Sequence, residues 1–81
     1  MKNLVKVERV RRNLQQQDLA KILNLSRQSI YSIEGGSYIP TALVALKLAR
    51  LFDLKVEELF FLEESEKQGI IPVPPCSKYQ D

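Results

Sequence analysis

QQDLAKILNLSRQSIYSI, residues 16–33, divides into two short amphipathic segments around one polar turn. Leu19, Ala20 and Leu23 give the first segment an apolar side, and Ile30 and Ile33 do the same for the second. Asn24 stands where the chain must reverse, and asparagine tolerates the left-handed conformation better than most residues. Ser26 then supplies a hydroxyl to cap the second helix. Two helices at this spacing, in a basic stretch without catalytic groups, suit a rod laid in the major groove of DNA.

The outer face of that second helix is polar. At 100° per residue with Ile30 at zero, the buried direction lies near ~330°, and Gln28, Ser32 and Tyr31 fall at about 160°, 200° and 100°. Arg27 flanks them in the first turn, Ser29 lies on the other flank, and Glu34 turns back toward the core. Gln pairs bidentately with adenine and Arg with guanine, so Arg27, Gln28, Ser32 and Tyr31 are the candidate base readers. Gln28, Ser32 or Tyr31 taken alone reads more readily as a solvated helix residue; it is their grouping beside the turn that carries the reading. Gln16 and Gln17 open the preceding helix, whose free N–H groups attract phosphate. Gln15 occupies its N-cap, a weaker choice than Ser or Thr.

Outward from this unit, a first helix is expected from residues 4–6 to Arg12, with Val7, Val10 and Leu14 inward and Lys6, Arg11 and Arg12 outward. The opening NLVKV reads equally as a short strand. Gly35, Gly36, Ser37 and Pro40 mark a loop, Thr41 caps a fourth helix, TALVALKLARLF, and VEELF forms a short fifth. The fourth helix is apolar nearly all round, which predicts cover from another subunit. Residues 1–62 form the expected domain. Residues 63–81 are an acidic, then proline-rich tail, expected to be mobile or laid along another surface.

With 81 residues, one domain is expected, and a 44% hydrophobic content makes its core marginal without a partner. Residues 1–56 carry a balance of +6 and residues 57–81 one of −4, so the leading part suits contact with phosphate. A solvated mixed-charge surface is the plain alternative. Cys76 stands alone, which excludes an internal disulfide and fits a reducing cytosol. No membrane span or signal sequence is apparent, and a cytoplasmic location is expected.

LQQQDLAKILNLSRQSIYSIEGG, then YIPT, then ALKLARLFDLKVEELF resembles the phage-repressor and Cro type of helix-turn-helix domain, the XRE family, over residues 3–60. The resemblance implies an all-α, five-helix lambda-repressor-like fold, with room for short N- and C-terminal β-strands in NLVKV and LFFLE. It implies transcriptional control, usually repression, by a homodimer on a palindromic operator in double-stranded DNA. Arg27, Gln28 and Ser32 match the family's base-contact positions, and Gln16 its backbone clamp. Gln17, Ser29, Lys6, Arg11, Arg12, Lys21, Gly36, Ser37 and Tyr38 are further candidates for phosphate contact. Glu34 matches an acid paired with a first-helix arginine, here Arg9, which read by itself would be an exposed phosphate-seeking residue. Dimerisation is expected through Leu48, Leu51, Phe52, Phe60, Phe61 and Leu62. The chain departs from the family at Gln15, Asn24 and Asp53, where Ser/Thr, Gly and Gly are usual, and at Glu8, where an apolar residue is usual.

Two other readings use the same domain. One is an antitoxin or restriction-modification controller, with GIIPVPP binding a protein partner. The other is a dimeric interaction module without DNA binding, which the polar Arg-Gln-Ser face disfavours. Enzymatic chemistry, a cofactor and a metal site are not expected: histidine is absent, and no phosphate-binding loop or ligand cluster is present. Cys76 has no evident neighbour to activate it.

Overall fold

A computed structural model describes residues 1–75; Cys76 lies outside them. The elements run β1 (Lys2–Asn3), α1 (Val5–Arg11), α2 (Gln16–Leu23), α3 (Arg27–Glu34), α4 (Ala42–Leu51), α5 (Val56–Leu59), β2 (Phe60–Phe61) and α6 (Glu64–Lys67). The chain is mostly helical, as expected, with one helical turn more than the five anticipated. That extra turn, α6, falls in the acidic stretch expected to be tail. The Met1 ammonium donates to Glu66 Oε2 at 3.1 Å, which ties this turn to the start of the chain. Residues 70–75, rich in proline, carry no regular structure.

The opening segment resolves into both of its readings in succession. Lys2 and Asn3 pair antiparallel with Phe61 and Phe60, and Leu4 N donates to Leu59 O at 2.9 Å. A helix then begins at Val5. Asn3 joins the two: its Oδ1 accepts from Val5 N at 3.1 Å, and its Nδ2 donates to Ile33 O at 2.9 Å.

Capping and turn chemistry set the helix ends. Ser26 Oγ accepts from Ser29 N at 3.1 Å, and Thr41 Oγ1 from Val44 N at 3.3 Å. Asp18 reaches back to accept from Gln15 N at 2.9 Å, which strengthens the start that Gln15 leaves weak. Asn13, Asn24 and Asp53 all adopt left-handed φ, at 61°, 56° and 56°. Each is followed by the same closing bond, from Leu14 N to Arg9 O, Leu25 N to Ala20 O and Leu54 N to Ala49 O. Short polar side chains that tolerate this conformation thus end three helices where glycine would serve.

One core joins the elements: Val5, Leu19, Ala20, Leu23, Ile30, Ile33, Leu48, Phe52, Leu59 and Phe60. The inward face of α1 is not the expected one. Val7 and Val10 are 51% and 57% exposed, whereas Val5, Glu8 and Arg9 are buried. Two stripes compete on this helix. Val5, Glu8, Arg9 and Arg12 follow an i, i+3, i+4, i+7 spacing as good as that of Val7, Val10 and Leu14. Val5, Glu8 and Arg9 of the charged stripe turn inward, where the charged groups find partners, while Arg12 stays at its edge.

Arg12 also departs from expectation. Its Nη1 donates to Glu8 Oε1 and Glu8 O at 2.7 and 2.8 Å, and its Nη2 to Phe52 O at 2.7 Å. The guanidinium lies 4.8 Å from the centre of the Phe52 ring. Arg12 therefore closes the end of α4, with three of its five N–H donors engaged within the chain. Arg11 shares Glu8 from the exposed side, at 3.1 Å.

Glu8 should give the fold a pH dependence. The Arg12 hydrogen bond, helped by the charges of Arg11 and Arg12 and opposed by desolvation, holds its carboxyl below the ordinary value of 4.5. A folded value below the unfolded one stabilises the fold above the unfolded value, and this is lost as the pH falls through the folded one. Glu66 adds a part of the same sign, since the Glu63 backbone N–H and the Met1 ammonium lower it too. Melting temperatures followed by circular dichroism are expected to drop below about pH 5. Glu8→Gln should flatten this limb in part; an unchanged pH profile would remove Glu8 as its cause.

α4 is not buried all round. Leu48, Ala49 and Phe52 enter the core, but Leu43 and Leu46 are exposed on the opposite face. Leu48, Phe52 and Phe60, expected at a subunit interface, are buried within their own chain. The short α5 and the β1–β2 pair fold back far enough to cover them. Of the expected interface set, Leu51, Phe61 and Leu62 remain exposed.

Candidate nucleic-acid interface

α2 and α3 pack against each other through Leu19, Ala20, Leu23, Ile30 and Ile33, which leaves the start of α2 beside the outer face of α3. Arg27, Gln28 and Tyr31 are exposed there, Tyr31 to 64%. Together with Gln16 they line a shallow cleft of about 410 Å³. Two further clefts meet it at Gln16. One, of about 320 Å³, is lined by Lys6, Gln16, Tyr31, Glu34, Gly35 and Ser37. The other, of about 430 Å³, is lined by Arg9, Gln15, Gln16, Gln17 and Arg27. The start of α2, the outer face of α3 and the following loop thus form one continuous polar surface.

Ser32 sits lower than its neighbours. Its carbonyl accepts from Ser37 N, Tyr38 N and Ser37 Oγ at 3.1, 3.2 and 3.3 Å, and the loop half-covers it. Ser29 Oγ lies 2.9 Å from Ser26 Oγ, so its side chain belongs to the cap of α3. Gly36, at φ 80°, turns the loop so that Ser37 and Tyr38 pass over the end of α3 and remain open to solvent. Arg11 and Lys21 are exposed but line none of the three clefts.

Beneath this surface lies an ion pair. Arg9 Nε donates to Glu34 Oε2 at 2.7 Å and Nη2 to Oε1 at 3.3 Å, with side chains only 10% and 4% exposed. Arg9 Nη1 also donates to Leu14 O at 2.8 Å, just ahead of α2. Gln16 Nε2 donates to Glu34 Oε1 at 3.1 Å. One carboxylate therefore holds α1, α2 and the end of α3 together, the arrangement that makes a buried pair tolerable.

Sequence reasoning missed Glu8, Asn3 and the Gln16–Glu34 bond. The first had a signal, since Glu8 stands i, i+3 and i, i+4 from Arg11 and Arg12. Asn3, just ahead of a helix, also fits a capping role. The third joins side chains far apart in the chain and has no local signature.

Among the described residues no helix is long and apolar enough to cross a membrane, and no group of three or more His, Cys, Asp or Glu is placed to hold a metal ion.

Residues 5–59 match the helix-turn-helix family. An uncharacterized HTH-type transcriptional regulator of Methanocaldococcus jannaschii is 47% identical over 66 residues, covering 82% of this chain and 100% of the relative. One from Bacillus subtilis is 42% identical over 64 residues, covering 79% and 97%. One from Archaeoglobus fulgidus is 36% identical over 66 residues, covering 82% and 93%. The chain belongs to the helix-turn-helix family of DNA-binding transcriptional regulators, of the phage-repressor and Cro (XRE) type.

Proposed function

We propose that this protein is a cytoplasmic repressor that binds a two-fold symmetric DNA operator as a homodimer. The observation that carries the reading is the cleft shared by Gln16, Arg27, Gln28 and Tyr31, open to solvent and seated on the packed α2–α3 pair. In this reading α3 enters the major groove. Arg27, Gln28 and Tyr31 read base edges, with Ser32 restricted to a base that approaches closely. Gln16, Gln17, Lys6, Lys21, Gly36, Ser37 and Tyr38 meet the sugar-phosphate backbone, together with Ser29 in the first turn of α3. Arg11 contributes only as a charge at the margin. Arg12, with three of its five N–H donors engaged by Glu8 and Phe52, would contribute at most through its remaining donors.

The second copy would cover the apolar surface left by the monomer. Leu51, Phe61 and Leu62 remain exposed, and so do Leu43 and Leu46 on α4. The two recognition helices would then lie about 34–36 Å apart, one turn of B-DNA. Repression follows by occupying a site that polymerase needs. The exposed Ile70, Ile71 and Val73 favour a second role for the tail, as the segment that engages a protein partner in the manner of an antitoxin.

Selection of bound sites from random DNA tests the reading, and a palindromic consensus is the expected result. Gln28→Ala should then lose about 1–3 kcal/mol at one base pair per half-site and relax the preference there. Equal affinity and selectivity in the variant would remove α3 from the groove.

A further inference from the structure

We propose that Glu34 is a positioning residue for backbone recognition: locked by Arg9, its carboxylate fixes the Gln16 carboxamide in the orientation that grips a phosphate. The inference rests on the DNA-binding reading above and deepens it. Gln16 Nε2 carries two hydrogens, and the 3.1 Å bond to Glu34 Oε1 uses one. Glu34 accepts only, so it selects the nitrogen end of the carboxamide and leaves its second N–H as a donor. A free glutamine would present either end, and an oxygen facing a phosphate repels it. Glu34 itself cannot turn away, since both its oxygens accept from Arg9, and Arg9 is anchored in turn to Leu14 O. All three clefts meet at Gln16, so its orientation bears on the whole polar surface.

The sign of the expected effect sets this role apart from simple electrostatics. Glu34 is an acid beside a surface that is to meet polyanionic DNA. Neutralising it should by charge alone strengthen binding to any duplex. Positioning requires the reverse. In Glu34→Gln a single oxygen is left for three donors; held by the shorter bond to Arg9 Nε, it puts the new amide nitrogen opposite Gln16 Nε2, and the Gln16 carboxamide turns over.

A double-mutant cycle with Glu34→Gln, Gln16→Ala and the double variant tests this, read on a short duplex of random sequence and on a selected operator. Thermal melts establish that each variant is folded at the binding temperature. Glu34→Gln is expected to weaken both duplexes alike, by about two- to ten-fold, as loss of one hydrogen bond does. The slope of affinity against salt should not change, because Gln16 releases no counterion. In the Gln16→Ala background the same substitution should have no effect or strengthen binding slightly. Should Glu34→Gln fail to fold, Glu34→Asp enters the same cycle, since it keeps the charge but withdraws the carboxylate by one methylene. Equal weakening in both backgrounds would reduce Glu34 to a structural residue and overturn the inference alone. An unaffected Gln16→Ala would overturn it as well. A wild-type protein that retains no duplex at low salt would overturn the DNA-binding reading and the inference with it.

Discussion

Phe52→Ala is expected to cost about 3–5 kcal/mol of folding stability, the range for truncating a fully buried aromatic side chain. The ring is 1% exposed, packs in the core and carries the Arg12 guanidinium on its face. A chain of this size holds roughly 0.05–0.15 kcal/mol per residue in all, so the loss is a large share of the total. Urea unfolding at two protein concentrations separates core from interface. A core residue loses the same free energy at both, whereas an interface residue loses more as assembly is favoured. A deficit that appears only at the higher concentration would return Phe52 to the subunit contact.

Arg9→Ala is expected to be comparably damaging, at about 3–5 kcal/mol, because among the described residues it leaves the buried Glu34 carboxylate only Gln16 as a side-chain donor. The same change frees Leu14 O at the entrance to α2. Replacing both members, as in Arg9→Met with Glu34→Leu, removes the stranded charge and should recover most of the stability. It should not recover affinity for DNA, since Gln16 then has nothing to orient it. Thermal denaturation and duplex binding, measured on the same three variants, check both halves. A single variant that costs under about 1 kcal/mol would mean that the pair is solvated and contributes little.

The exposed leucines of α4 show why apolar content alone misleads about burial. TALVALKLARLF has too few polar positions to mark an outer face, so the pattern asks for cover on every side. In the fold Leu48 and Phe52 satisfy the core, and Leu43 and Leu46 face out because α4 has its own domain on one side only. The expected interface failed at Leu48, Phe52 and Phe60 for a related reason. A four-residue α5 followed directly by β2 brings Phe60 back under β1 and closes the core from within the chain.

What could be read from the residues alone were the features settled within a few positions of each other. Ser26 and Thr41 start helices through their own hydroxyls, and Asn24 ends one by accepting a left-handed backbone. The spacing of Leu19, Leu23, Ile30 and Ile33 then turns one side of each helix inward, which leaves Arg27, Gln28 and Tyr31 outside. The facing of α1 was a different matter. Its charged and apolar stripes are equally periodic, and the choice fell to partners distant in sequence: Glu34 for Arg9, and the Phe52 carbonyl for Arg12. A buried charge is tolerable only where its donors and acceptors are met, and no local pattern says what lies across the core to meet them.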